Sequence, residues 1–144
     1  MTENPADFAR DLEAAVMAMP AARTLGLRFT RIEAGQVELE LPYQQTLSFR
    51  PGQLQATPIF AAADFAAVSA AGTLLPKGWA NATIDCALKI VGPARGDRLV
   101  ARGRVVQAAR LLTVAAAEVF ACDAEGETLC ATMLATARNI APPA

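Results

Sequence analysis

The pattern of hydrophobic and polar positions changes period along this chain. Over residues 4–18 the apolar side chains recur at helical spacing, which predicts an amphipathic helix over about 4–18. Asn4 and Pro5 suit the first turn of that helix, as N-cap and first helical residue. Over residues 25–33 and again over 36–41, apolar and polar side chains alternate instead. These two stretches, separated by a short turn, predict an antiparallel hairpin.

The stretch 56–75 is almost entirely apolar and rich in alanine, and the rest of the chain is organised around it. Its length and composition predict a central helix over about 56–73, with Pro58 near the start. Because apolar residues cover nearly all of its faces, we expect this helix to be buried. The polar and irregular residues 43–55 lead into it as a loop.

Four further strands are predicted after the central helix, at 80–91, 98–107, 111–122 and 128–138. In the first of them, strict alternation places Ile84 and Cys86 on one face and Thr83 and Asp85 on the other. Short turns join the four strands, and the tail 140–144 is expected to be loose. Antiparallel strands around a segregated helix predict an α+β fold, formed by a single domain over residues 1–144.

Asp64 is the exceptional residue of the central helix. No Lys or Arg lies within four positions of it, so no neighbour in its own helix can pair with it. An unpaired buried carboxylate is costly. Either the helix turns Asp64 to water or onto a backbone group of another segment, or Asp64 faces a cleft and does chemistry. In apolar surroundings a carboxylate often serves as general base or nucleophile.

Composition excludes several kinds of chemistry. The chain has no histidine, which rules out Ser-His-Asp and Cys-His catalysis and His-ligated zinc, and no spacing typical of metal ligands is present. A net charge of −1 argues against general nucleic-acid binding. Three cysteines without a CxxC indicate a reduced, cytoplasmic protein, and residues 1–7 carry no signal-peptide pattern.

A hydrophobic fraction of 53% suggests that part of the apolar surface is buried between subunits, so we expect a dimer or tetramer. No stretch predicts a membrane span, because Asp64 and flanking helix breakers interrupt the longest apolar run.

The order of elements resembles the hotdog fold, in which a curved antiparallel sheet wraps around a central helix and two protomers join their sheets edge to edge. Several motifs resemble the acyl-CoA thioesterases of the phenylacetate-degradation type. They are Leu-Gly-Leu-Arg-Phe at 25–29, the strand at 35–42, Pro51-Gly52 before the helix, Ala63-Asp64 inside it, and the segment 91–99. The resemblance covers roughly residues 20–140 and implies hydrolysis of an acyl-CoA thioester.

The resemblance also implies site residues. The family carries an acid in the central helix, which Asp64 matches, and a Ser or Thr on the next strand, supplied by the neighbouring subunit to position water, which Thr83 matches. The family usually begins the helix with His-Gly-Gly, where this chain has Gln55, Ala56 and Thr57. Gln55 would then bind substrate in place of the histidine. Ala56 and Thr57 would offer backbone N–H groups to the thioester carbonyl.

Two further residues are predicted to bind substrate. Phe60, with Phe65, suggests a narrow acyl pocket. Arg95, with Arg98, Arg102 and Arg104, could meet the phosphates of coenzyme A, but these arginines also fit a charged outer strand face. No cofactor is implied apart from coenzyme A as part of the substrate.

Three classes of function remain open at this point: a thioesterase, a non-catalytic hotdog protein that binds an acyl-CoA or another apolar ligand, and a structural protein. The replacement of His-Gly-Gly favours the second class, whereas an unpaired acid at Asp64 gives a purely structural helix no advantage.

Overall fold

The computed structural model describes residues 4–144, so the first three residues of the amino-terminal segment lie outside the described part. Helix α1 (Pro5–Met17) agrees closely with the predicted amphipathic helix. The Asn4 side chain caps it by accepting a hydrogen bond from the Ala6 N–H at 3.1 Å. Among the helices of residues 4–144, none is long and apolar enough to span a membrane.

A short helix that the sequence analysis missed follows α1. Helix α2 (Pro20–Leu25) begins with a proline and ends at Gly26, which adopts the left-handed conformation with φ of 70°. The prediction of a strand from residue 25 was therefore wrong at its start, and strand β1 (Arg28–Glu33) begins three positions later. Leu25 and Leu27 fit the alternating pattern of the strand but lie before its start. Pro20 and Gly26 instead favour the beginning and the end of a short helix at these positions.

Among residues 4–144 six strands form the main antiparallel sheet. In order across the sheet they are β1, β2 (Gln36–Pro42), β7 (Arg98–Ala108), β8 (Leu112–Asp123), β9 (Gly126–Ile140) and β5 (Ala80–Ile90). Strand β2 completes the predicted hairpin and buries Val37, Leu39 and Leu41. The remaining strands are β3 (Ser48–Arg50), β4 (Gln53–Leu54) and β6 (Ala94–Arg95).

The segment 43–55 is more regular than the sequence suggests. It contains a 3₁₀ turn, Gln45–Leu47, followed by strands β3 and β4. With β6 these two short strands form a second, three-stranded sheet beside the start of the central helix. The pairing partner of β4 lies some forty residues later in the chain, so local sequence could not reveal it.

The central helix α3 (Ala56–Gly72) packs against the concave side of the main sheet. Its sheet-facing alanines are fully buried, at Ala62, Ala63, Ala66, Ala67, Ala70 and Ala71. The contact is tightest at Gly103 of β7, where an added Cβ would overlap the Ala66 carbonyl group. Small side chains on both elements therefore allow the helix and the sheet backbones to approach closely.

Helix α3 is not buried on every face. One stripe at helical i, i+4 spacing stays accessible, from Ala56 through Phe60 and Asp64 to Val68. The expectation of an all-round buried helix was wrong on this side, since the sheet covers only the alanine face. The open stripe runs along the helix and leads from its amino terminus to Asp64.

Candidate active site around Asp64

The Asp64 carboxylate lies half-buried at a cavity of about 240 Å³ between α1, α3 and β5. The cavity is lined by Leu12, Val16, Met19, Asp64, Phe65, Val68, Ser69, Asn81, Ala82 and Thr83. Asp64 forms no ion pair with any of residues 4–144 and does not cap a backbone group there. Of the two interpretations from sequence, the geometry therefore matches an acid that faces a cleft.

Two side chains of β5 donate hydrogen bonds to the same oxygen of Asp64. The Thr83 hydroxyl lies 2.8 Å from Asp64 Oδ1, and the Cys86 thiol lies 3.7 Å from it. Asp64 Oδ2 accepts no hydrogen bond from residues 4–144. One carboxylate oxygen is thus held in place while the other is left for a ligand or a water molecule.

A β-bulge brings these two donors together. The register between β5 and β9 shifts between Thr83 and Asp85, which leaves Ile84 unpaired and 57% exposed. Strict alternation placed Thr83 with Asp85 and Ile84 with Cys86, and that assignment was wrong. Because the bulge adds one residue to the strand, Thr83 and Cys86 face α3 together.

The structure shows Thr83 in contact with Asp64 of the same chain. The resemblance implies a residue of the neighbouring subunit, whereas Thr83 meets Asp64 of its own protomer. The contact needs no second copy of the chain.

Cys86 is a neutral donor in this arrangement. Burial raises the pKa of its thiol to about 11, and the nearby negative charge of Asp64 adds to the shift. The thiol therefore stays protonated at neutral pH and donates to the carboxylate, which disfavours a nucleophilic role. The alternation in the sequence places Cys86 on the face opposite Thr83 and gives no sign of this contact, because the contact depends on the bulge.

The amino terminus of α3 borders a second, larger cavity of about 520 Å³. Gln55 and Ala56 line it together with residues of β4, β5 and the segment before β6. The Gln55 side chain caps the helix, because its Oε1 accepts the Thr57 N–H at 2.6 Å. The Ala56 N–H has no hydrogen-bond partner among residues 4–144. Of the two predicted carbonyl-binding amides, Ala56 is thus free and Thr57 is occupied.

The two cavities are separate but lie along the same accessible stripe of α3. Ala56 and Asp64 are eight residues apart, about 12 Å along the helix axis. Phe60 sits on the stripe between them, 40% exposed, and lines neither cavity. An extended ligand lying along α3 would therefore contact Phe60 on the helix surface rather than within a pocket.

The arginines occupy different surroundings from those expected for phosphate binding. Arg95 borders a cavity that also contains Asp123, Glu125 and Glu127. Arg102 pairs with Glu38 and Glu127 on the outer face of the sheet. These acidic neighbours agree with the alternative of a charged outer strand face.

No group of three or more His, Cys, Asp and Glu side chains within residues 4–144 is arranged to hold a metal ion.

Solved structures resemble the chain over nearly its whole length. A thioesterase family protein from Silicibacter pomeroyi is 32% identical, with a TM-score of 0.89, and the match covers 93% of this chain and 98% of that one. A phenylacetic acid degradation-related protein from Ralstonia eutropha is 25% identical, with a TM-score of 0.77, over 91% of this chain and 98% of that one.

A thioesterase from Haemophilus influenzae shares the fold at 18% identity and a TM-score of 0.79, over 98% of this chain and 93% of that one. No protein-family model and no curated protein matches the sequence. The sheet wrapped around α3 confirms the predicted hotdog fold. The sequence identity to the Silicibacter protein, which extends over nearly the full length of both chains, places this protein in the thioesterase family of hotdog proteins.

Proposed function

We propose that this protein hydrolyses an acyl-CoA thioester to the free acid and coenzyme A, with Asp64 as the acting carboxylate. The observation that carries the proposal is the environment of Asp64: an acid without an ion pair among residues 4–144, oriented by Thr83 and Cys86, at the mouth of an apolar cavity. Membership of the thioesterase family supports the same reaction class.

In the proposed reaction, the reacting atom is Asp64 Oδ2, the carboxylate oxygen that accepts no hydrogen bond from Thr83 or Cys86. As general base it takes a proton from water while the water oxygen attacks the thioester carbonyl carbon. The C–S bond then breaks, and the coenzyme A thiolate leaves and takes up a proton. As nucleophile, Asp64 would attack the same carbon and form an anhydride that water then hydrolyses.

The amino terminus of α3 would stabilise the negative charge that develops on the carbonyl oxygen. Its free Ala56 N–H is the donor for this role, and one such donor typically contributes about 3 kcal/mol. Ala56 and Asp64 of one protomer are about 12 Å apart along the axis of α3, farther than one carbonyl group spans, so this role requires the α3 amino terminus of a second copy beside the thioester at Asp64. The coenzyme A moiety would then extend toward the larger cavity beside Gln55.

The test is thiol release from a panel of acyl-CoAs by the wild type and by Asp64→Asn. Loss of the carboxylate should reduce kcat at least about 100-fold, since positioned acid–base groups typically contribute that much or more. Asp85→Asn is a matched control, because Asp85 lies on the opposite face of the same strand. Activity of Asp64→Asn equal to that of the wild type would refute the assignment.

One observation favours non-catalytic binding of an acyl-CoA as the second candidate. Gln55 occupies the Thr57 N–H and Pro58 has none, so the helix start offers fewer free donors than a run of glycines would. Under this alternative, coenzyme A esters bind to the wild type and to Asp64→Asn without turnover in either protein.

A further inference from the structure

The Ser69 hydroxyl is a polar group on the cavity wall that the proposed reaction does not use. Ser69 is 5% exposed and lines the cavity beside Asp64. Its hydroxyl makes no hydrogen bond with any of residues 4–144, not even with the carbonyl of Phe65 one turn earlier, where serines in helices often bond. Thr73, one turn later, does make such a bond, donating to the Ala70 carbonyl at 2.6 Å.

Packing alone does not explain a serine at this position. The neighbouring buried positions of α3 carry alanine, including Ala66, Ala67, Ala70 and Ala71. Alanine favours a helix more strongly than serine and buries no polar atom. Among the described residues no fully buried side-chain oxygen lacks a hydrogen-bond partner, so the Ser69 oxygen is open to the cavity and can bond a ligand group there.

Asn81 of β5 supplies a second polar atom to the same cavity. Its Nδ2 donates to the Val68 carbonyl at 3.0 Å, which fixes the orientation of the amide and leaves Oδ1 as the free atom. Asn81 Oδ1 accepts no hydrogen bond from residues 4–144. A hydroxyl donor and an amide acceptor thus border one cavity.

The rest of the cavity wall separates these polar atoms from Asp64. Its other side chains are mainly apolar: Leu12, Val16, Met19, Phe65 and Val68. The exposed residues Met19 and Thr83 mark its open side, and the buried residues Ser69 and Val16 mark its inner side. Ser69 lies five residues beyond Asp64, about 7.5 Å along the helix axis.

We propose that Ser69 and Asn81 form a polar subsite for the end of the acyl group remote from the thioester, selecting an uncharged acyl group with a distal hydroxyl. That hydroxyl accepts a hydrogen bond from Ser69 Oγ and donates one to Asn81 Oδ1. The inference rests on the proposed function, which brings the thioester to Asp64.

Size and charge define the acyl group further. A cavity of about 240 Å³ holds about eight groups of the size of water, at about 30 Å³ each. Among residues 4–144 its lining includes no cation and Asp64 as the single carboxylate, so an acyl group with a distal carboxylate would be disfavoured. A medium-length acyl chain with one hydroxyl fits this description.

Binding of non-hydrolysable thioethers tests the subsite independently of turnover. The probes are coenzyme A thioethers of hexyl and octyl chains, each with and without a terminal hydroxyl, titrated by calorimetry. For the wild type we expect the hydroxylated member of at least one pair to bind about tenfold more tightly, the effect of one to two added hydrogen bonds.

Ser69→Ala should bind both members of that pair with equal affinity. Ser48→Ala is the matched control, because the Ser48 hydroxyl bonds the Gln45 carbonyl away from this cavity, and it should keep the wild-type preference. Ser69→Ala should also be at least as stable to urea as the wild type. No preference in the wild type, no binding of any probe, or a preference that survives in Ser69→Ala would overturn the proposal.

Hydrolysis assays separate this proposal from the proposed function. If the wild type binds hydroxylated thioethers selectively but hydrolyses no thioester, the subsite stands and the reaction falls. If it hydrolyses octanoyl-CoA and ω-hydroxyoctanoyl-CoA with equal kcat/KM and binds the thioethers without preference, the reaction stands and the subsite falls.

Discussion

At Asp64, one carboxylate oxygen accepts hydrogen bonds from two side chains of different chemistry. Thr83 supplies a hydroxyl at 2.8 Å, and Cys86 supplies a thiol at 3.7 Å. The thiol is the weaker donor, but it also reports on the carboxylate, since the charge of Asp64 helps to raise the pKa of Cys86 to about 11. The two groups are therefore electrostatically coupled.

The coupling predicts how Cys86 reacts when the charge of Asp64 is removed. In Asp64→Asn the pKa of the thiol should fall, because a thiolate no longer forms beside a negative charge. More thiolate is then present at pH 9, and alkylation of Cys86 by iodoacetamide should be several-fold faster, as followed by mass spectrometry of the peptide.

Asp85→Asn is the control for this measurement, because Asp85 also raises the pKa of Cys86 but makes the smallest contribution. It should accelerate alkylation less than Asp64→Asn does. Equal rates in the wild type and Asp64→Asn would contradict the contact between Cys86 and Asp64.

Among the elements, the contact between α3 and β7 sets how closely the helix approaches the sheet. The alanine face of α3 meets Gly103, and an added methyl group there would overlap backbone atoms of Ala66. Backbone atoms of a packed helix cannot rotate away as a side chain can, so the helix itself would have to move.

Gly103→Ala should therefore lower the free energy of unfolding by about 3 kcal/mol, measured by urea denaturation. Gly72→Ala is the matched control, because its added methyl group would meet the flexible end of Leu12 at 3.2 Å. Since alanine also favours the helix, Gly72→Ala should change stability much less. A Gly103→Ala protein as stable as the wild type would show that α3 tolerates displacement.

For the whole molecule, strand β5 is the feature that bears on self-association. It is eleven residues long and pairs with β9 on one side, while no strand among residues 4–144 pairs with its other edge. An exposed edge strand offers free backbone donors and acceptors to a second strand. Its Asp85 and Lys89 lie on one face at positions symmetric about Ala87.

We expect two copies to pair their β5 strands antiparallel about Ala87, which sets Asp85 opposite Lys89 of the partner subunit. Lys89→Glu would replace two attractive pairs by two repulsive ones and should raise the dissociation constant of the dimer at least about tenfold, as measured by analytical ultracentrifugation. The double variant with Asp85→Lys and Lys89→Glu should restore the dimer. A monomeric wild type, or a Lys89→Glu dimer of unchanged affinity, would exclude this pairing.

Several features could be predicted from the sequence because they depend on local patterns. The strands β2 and β7 and the central helix follow from the spacing of apolar and polar residues, which differs between a strand and a helix. Asp64 could also be identified from the sequence as a candidate site residue, since burying an unpaired carboxylate in an alanine-rich helix is energetically costly.

Other features depend on which segments pair in space, and only the tertiary structure decided them. The bulge at Ile84 follows from the register of β5 against β9, and it brings Cys86 onto the same face as Thr83, where its thiol donates to Asp64. The unpartnered hydroxyl of Ser69 becomes informative only once α1 and β5 enclose a cavity beside it. The sequence thus identified the acid and the fold around it, whereas long-range packing determined what that acid and the neighbouring cavity contact, because such contacts join residues far apart in the chain.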